Sequence, residues 1–179
     1  MSITLSDEII NYAHMVKEKY NVPESVTLGQ AIYESNLGKS NVAQNSNNWF
    51  GVKGSGNAGS YNSYAKYETV YDSFDAYGQL LSKERYTSKT KNATTVAEYL
   101  QGVVAGGYCP DAGYVTDVLN IINSNNLEQY NTSEYKGTSS ITASTEVTGI
   151  KGILANIVSW VFLLVFIVLA ILFLYYAFS

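Results

Sequence analysis

Apolar positions recur with a helical period over much of the first 130 residues, and polar turns punctuate them. In the stretch around residues 6–20, Ile9, Ala13, Val16 and Tyr20 fall on one face. Ser6 stands where an N-cap belongs, and Asp7 and Glu8 occupy the first turn, where the helix dipole favours anions. A second helix is predicted from Pro23, a residue suited to a first turn, with Leu28, Ala31, Ile32 and Ser35 on one stripe. It is expected to stop at Gly38, a good residue for the left-handed position after a helix. Residues 45–67 hold no such period and read as a loop with a short β-hairpin. Three further helices are predicted. One starts near Ser73, with Phe74, Tyr77 and Leu81 on its face. The next starts at Thr94 or Thr95, with Val96, Leu100, Val103 and Val104. The last follows Gly113, with Val115, Val118, Leu119 and Ile122. The expected fold class is α+β, mostly α: helices around a small hairpin.

The pattern changes after residue 130. Residues 131–152 are rich in Ser, Thr and Gly and read as a linker. Residues 153–178 are an apolar block, and no charge occurs from Gly152 to Ser179. As a helix this block would be roughly 39 Å long, enough to span a bilayer with tilt. Trp160 at one end and Tyr175 and Tyr176 at the other suit interfacial belts. The organisation predicted is a domain over 1–130, a linker over 131–152 and a hydrophobic transmembrane-type helix over 153–178, with a lipid membrane as partner. The first residues lack a basic start and an apolar run, so they do not read as a signal peptide.

Charge and composition narrow the function. The net charge is −4, from 11 basic and 15 acidic side chains, which argues against a nucleic-acid partner. A single cysteine excludes an internal disulfide, and one cysteine with one histidine leaves no basis for a Cys/His metal site. No metal and no cofactor is expected. Gly54, Gly56 and Gly59 match G-x-G-x-x-G as a string, but nothing around them predicts a strand and helix, so they read as turns. Cys109 and His14 lie far apart in sequence and read as an inert thiol and a helix-surface imidazole. No G-x-S-x-G elbow supports a serine hydrolase. Asn92 and Asn131 fit the glycosylation string without further support.

Among the carboxylates, Glu34 stands out by position. It lies about 300° around the helix from Ala31, at the edge of the apolar stripe and in the last turn. Apolar surroundings and the helix C-terminal carbonyls both disfavour its ionisation. A carboxylic acid kept protonated is what glycosidic cleavage needs, because the departing sugar oxygen must receive a proton. An ordinary glutamate at a helix end is the alternative.

Four segments then resemble the glucosaminidase family of peptidoglycan hydrolases (glycoside hydrolase family 73), which is lysozyme-like. They are Leu28-Gly-Gln-Ala-Ile-Tyr-Glu34-Ser-Asn-Leu-Gly38-Lys-Ser40, Asn48-Trp-Phe-Gly-Val-Lys-Gly54, Tyr64-Ala-Lys-Tyr67 with Asp72-Ser73, Leu80-Leu81 and Arg85-Tyr86, and Gly107-Tyr108-Cys-Pro-Asp111-Ala-Gly-Tyr114. They occur in the family's order over residues 24–125. The resemblance implies a lysozyme-like helical domain. It implies cleavage of the β-1,4 bond between N-acetylglucosamine and N-acetylmuramic acid, with wall glycan strands as partner. It assigns Glu34 as general acid and Tyr108 as a tyrosine lining the catalytic cleft. Asn48 and Phe50 are assigned to the loop that shapes the cleft floor, and Tyr114 to substrate binding. Trp49 is expected either to stack on a sugar face or to be buried.

This chain departs from the pattern in two places. Many family members carry a second acid on the hairpin, and Gly54–Ser63 has none; Glu68 and Asp72 are the nearest candidates, and Glu68 is the expected second catalytic acid. Cys109-Pro110 replaces Ala-Thr in the fourth segment. Without a second carboxylate, the substrate's N-acetyl group can assist, or an anhydro-sugar forms as in lytic transglycosylases. A wall hydrolase joined to a terminal apolar segment fits a phage virion protein, delivered with the tail and in contact with other tail proteins, that opens the wall and engages the membrane. The other settings considered are a conjugation or secretion apparatus of the bacterial cell envelope, and a non-catalytic glycan-binding virion protein.

Overall fold

The computed structural model describes residues 3–131. The predicted 153–178 helix, and the linker beyond Asn131, lie outside the described residues. Among the described residues no helix is long and apolar enough to cross a membrane.

Seven α-helices and one two-stranded hairpin make up the domain: α1 (Asp7–Tyr20), α2 (Glu24–Ser35), α3 (Asn41–Ser46), β1 (Ser60–Tyr61), β2 (Tyr64–Ala65), α4 (Val70–Leu81), α5 (Glu84–Thr90), α6 (Val96–Ala105) and α7 (Tyr114–Ser124), followed by a 3-10 turn at Leu127–Tyr130. The mostly helical α+β class holds. In α1 the Ser6 side chain accepts from the Ile9 amide, as an N-cap should. Capping boxes at Thr69/Asp72 and Thr95/Glu98 open α4 and α6, each satisfying otherwise orphaned amides. The first of these moves the start of α4 upstream of the Ser73 expected from periodicity. Three elements carry too short or too polar a pattern to register: α3, α5 and the 3-10 turn.

The centre of the domain is α2. Every residue from Glu24 to Ile32 is buried, polar ones included, so its surface is not the single stripe that periodicity suggested. It packs against α1, α6, α7 and the 3-10 turn. Gly29 makes the α7 contact possible: a Cβ there would come within 2.7 Å of Ile122 Cγ1. Buried polar groups must find partners. The Ser25 amide donates to Asn131 Oδ1 at 2.8 Å, and Asn131 is itself buried, so the folded domain includes this first residue of the expected linker.

The end of α2 differs from the expectation at Gly38. Asn36 takes the left-handed cap, and Leu37 and Gly38 continue with positive φ. The helix therefore ends one residue after Glu34. Gly38 serves the turn differently: a Cβ there would lie 2.5 Å from the Trp49 ring, so the indole lies directly against this turn. The hairpin turns at Asn62 and Ser63, both with positive φ, as a tight two-residue connection requires. Register pairs Tyr61 with Tyr64 and Ser60 with Ala65. Gly54 and Gly59 adopt positive φ in the preceding loop, and Gly56 backs onto the Lys66 carbonyl. The three glycines are turn residues, as expected.

Beneath the hairpin, Phe50 stacks on Tyr77 with ring centroids 4.0 Å apart and meets Phe74 edge-on at 4.9 Å. On the opposite side Lys19 and Tyr20 of α1 both donate to Asp75 of α4 at 2.9 Å. Gly78 accepts the Tyr20 ring where any Cβ would collide.

Candidate active site

Glu34 sits on the last turn of α2, partly buried, at the edge of a cleft of about 320 Å³. The lining is Glu34, Ser40, Val42, Asn48, Gly51, Lys53 and Tyr64. That volume is at the small end of small-molecule sites, which run from about 300 to 1,000 Å³. One wall is the end of α2 and the start of α3; the other is the loop and hairpin after Asn48. Gly51 closes the approach between them. Its φ is +63°, and a Cβ there would stand 3.6 Å from Glu34 Oε2 and 3.9 Å from the Tyr64 ring. Those are ordinary contact distances, so it is the positive φ that glycine suits here.

Asn48 braces this loop. Its side-chain nitrogen donates to the carbonyls of Val52 and Ala65, and its oxygen accepts from the Val52 amide. Its side chain is committed to backbone partners even though it lines the cleft. Lys53 Nζ rests 3.2 Å above the centroid of the Tyr64 ring, a cation–π contact that places a positive charge on the hairpin wall.

The Glu34 carboxyl meets a different environment. Burial holds it above its ordinary value, because the charged form loses water. The Tyr114 hydroxyl donates to Oε1 at 3.2 Å and pulls in the opposite direction. Tyr114 is fully enclosed. It touches the acid from within the domain and is not among the residues lining this cleft.

Tyr108 does not reach Glu34 by a hydrogen bond and does not line the cleft. Its ring is packed against Tyr77, Tyr86 and Tyr114 at centroid distances of 6.5, 6.4 and 5.8 Å. Its hydroxyl is buried without a hydrogen-bond partner among the described residues. Phe50 is a core residue under the loop, only 3% exposed, and so stabilises the cleft floor from below. Trp49 is half-buried between Phe74 and the Gly38 turn, and its amide donates to Ser73. Glu68 is exposed and outside the cleft lining. Its amide and carbonyl are tied to Asn57 and Asn47. Asp72 is occupied in the α4 cap, where the Thr69 hydroxyl holds it below the usual carboxylate range. Among the described residues that line the cleft, Glu34 is the only acid.

Sequence reasoning did not single out Ser40, Val42, Gly51, Lys53 or Tyr64 as site residues, although all but Val42 lie inside the quoted segments. Cys109 is a half-buried free thiol. His14 is half-exposed, with Nδ1 3.1 Å from the buried Glu24 carboxylate. Among the described residues no cluster of His, Cys, Asp and Glu is able to hold a metal ion.

The glucosaminidase family, described as mannosyl-glycoprotein endo-beta-N-acetylglucosaminidase, matches residues 10–127. The chain belongs to the glucosaminidase family. It is 29% identical over 145 residues to the exo-glucosaminidase LytG of Bacillus subtilis (strain 168), covering 69% of this chain and 51% of that protein. The chain thus spans about half the length of the curated relative it matches. Among solved structures, the catalytic domain of the autolysin Auto from Listeria monocytogenes superposes with a TM-score of 0.60 at 26% identity, covering 73% of this chain and 91% of that one. A peptidoglycan hydrolase from Sphingomonas sp. A1 shares the fold, with a TM-score of 0.57 at 19% identity, covering 76% and 99%.

Proposed function

We propose that the protein is a peptidoglycan hydrolase of endo-N-acetylglucosaminidase type. It cleaves the β-1,4 bond between N-acetylglucosamine and N-acetylmuramic acid in wall glycan, and Glu34 is its general acid. The observation that carries this is a desolvated carboxyl with one oxygen held from inside the domain and the other beside Gly51 at the cleft. Burial keeps the acid protonated at a pH where an exposed glutamate has lost its proton, so it can deliver that proton to the glycosidic oxygen as the bond to C1 breaks. No second acid lines the cleft among the described residues. The reading therefore gives the attack on C1 to the acetamido oxygen of the substrate itself. Glu34, now ionised, takes a proton from water as that water opens the cyclic intermediate, which restores the acid. Lys53 and Tyr64 face the sugar from the hairpin side.

The same absence of a second acid favours one alternative, a domain that binds glycan without cleaving it. A zymogram of purified wall separates the two. Clearing by wild type and none by Glu34→Gln is expected. Equal clearing by both ends the Glu34 assignment, and no clearing by wild type turns the reading to binding. Reducing-end analysis of the digest is expected to show N-acetylglucosamine; an anhydro-sugar would make the protein a lytic transglycosylase.

For biological setting we propose delivery by a phage tail, with residues 153–178 engaging the membrane. What supports it is the pairing of a glucosaminidase-family domain with the charge-free run from Gly152 to Ser179. Mass spectrometry of purified particles is expected to find this chain, and particles without it would point to a conjugation or secretion apparatus instead.

A further inference from the structure

Gln30 lies one helical turn before Glu34 on α2 and is completely enclosed. Its amide oxygen accepts from the Tyr77 hydroxyl of α4. Its amide nitrogen donates to the Tyr114 hydroxyl of α7 at 2.6 Å. Tyr114 in turn donates to Glu34 Oε1. A phenol carries a single hydrogen. Because the Tyr114 oxygen already receives the Gln30 N–H, its own hydrogen goes to the carboxylate. With the amide turned over, the Gln30 oxygen would face Tyr114 and capture that hydrogen, and Glu34 would lose its internal donor. The Tyr77 hydroxyl opposes this inversion by donating to the amide oxygen from the far side.

The geometry points to a Tyr77–Gln30–Tyr114 relay that pins Oε1 of Glu34 from within the core and leaves Oε2, beside Gly51, as the oxygen that exchanges a proton with the substrate. Gln30 and Tyr77 are positioning residues; neither lines the cleft. The role rests on the reading of Glu34 as general acid. A donor at Oε1 favours the ionised carboxylate, so the relay limits how far burial raises the acid. The other titratable groups facing Glu34 are Tyr33 on its own helix, Tyr114 and Tyr108 on and before α7, Tyr77 on α4, and Lys53 and Tyr64 across the cleft.

The test is a ¹³C NMR titration of the Glu34 carboxyl in the full-length chain labelled at glutamate Cδ, with the signal identified by its loss in Glu34→Gln. Tyr114→Phe is expected to raise the midpoint by roughly one pH unit, since a hydrogen bond to a charged group is lost. Gln30→Met and Tyr77→Phe are expected to raise it by a smaller amount, and the alkaline limb of wall-clearing activity should move with it. A purely structural role would lower thermal stability and leave the midpoint in place. If Tyr114→Phe moves the midpoint while Gln30→Met and Tyr77→Phe do not, the relay is overturned. Should Gln30→Met fail to fold, Tyr77→Phe decides alone, because it keeps the ring and removes only the hydroxyl. Midpoints that shift in a wild-type background without wall-clearing activity would uphold the relay and sink the proposed function. Activity with unmoved midpoints would do the reverse.

Discussion

The two walls of the cleft are built by opposite means. The helical wall presents Glu34 from the end of a helix buried almost throughout, backed by Gln30, Tyr77 and Tyr114, each essentially inaccessible to water. The hairpin wall presents Gly51, exposed Lys53 and half-exposed Tyr64 from a loop that Asn48 ties together through its own backbone. Proton chemistry needs low dielectric and a fixed geometry, which a packed core supplies. Accommodation of a polar, hydrated sugar needs groups already in contact with water. The contrast separates the part of the site that sets reactivity from the part that meets the ligand.

Mutations on the two walls should therefore differ in kind. The largest effect is expected from Tyr114→Ala on the helical wall, which removes an enclosed ring and should cost about 3–5 kcal/mol in a denaturant melt. The matching change Tyr64→Ala on the hairpin should cost less than about 1.5 kcal/mol and act mainly on substrate affinity. Comparable losses from both would erase the contrast. Next comes Gly51→Ala, at the meeting point of the walls. Its positive φ makes a side chain strained by about 1–2 kcal/mol, and a loop that shifts to relieve the strain displaces the wall facing Glu34 Oε2 and Tyr64, which the methyl itself would meet at ordinary contact distance. Activity on wall glycan should fall by more than the loss of stability explains, as read by comparing turnover with the melt.

Glu34→Gln sharpens the comparison through pH. Burial raises the folded-state value above the unfolded one. The stability Glu34 contributes is thus fully present below the unfolded carboxyl range and is lost as pH rises through the raised folded value. The glutamine variant should melt at a higher temperature than wild type at neutral pH, and the gap should close on acidification. A gap that widens on acidification would place the shift in the other direction. The smallest effect is expected from Lys53→Ala, which removes an exposed cation–π contact worth about 0.5–1 kcal/mol. It should leave the melt nearly unchanged while raising KM for wall glycan.

Legibility in the sequence followed the same division. Helices α1, α2, α6 and α7 announce themselves by period and caps, since Ser6, Pro23, Thr95 and Gly113 stand at or beside their first residues. Helix α3, six residues of Asn-Val-Ala-Gln-Asn-Ser, buries only Ala43 and Ser46, too few positions to set a phase. Helix α5 buries only Tyr86 and Thr90. Glu34 was visible because a glutamate at the margin of an apolar stripe is locally anomalous. The residues behind it were not. Gln30 meets Tyr77 across 47 positions and Tyr114 across 84, and no local pattern encodes such encounters. Gln30 and Tyr114 lie in separate quoted segments, and neither segment shows that the two meet. The family resemblance that assigned Tyr108 to the cleft likewise carried no information about the aromatic rings that surround it.

Asn131 fastens the last described residue of the domain to the first turn of α2 through the Ser25 amide. Glu34 lies nine residues further along that rod, roughly 14 Å by the rise of an α-helix. The described chain therefore finishes beside the first turn of α2, at the opposite end of that helix from the acid.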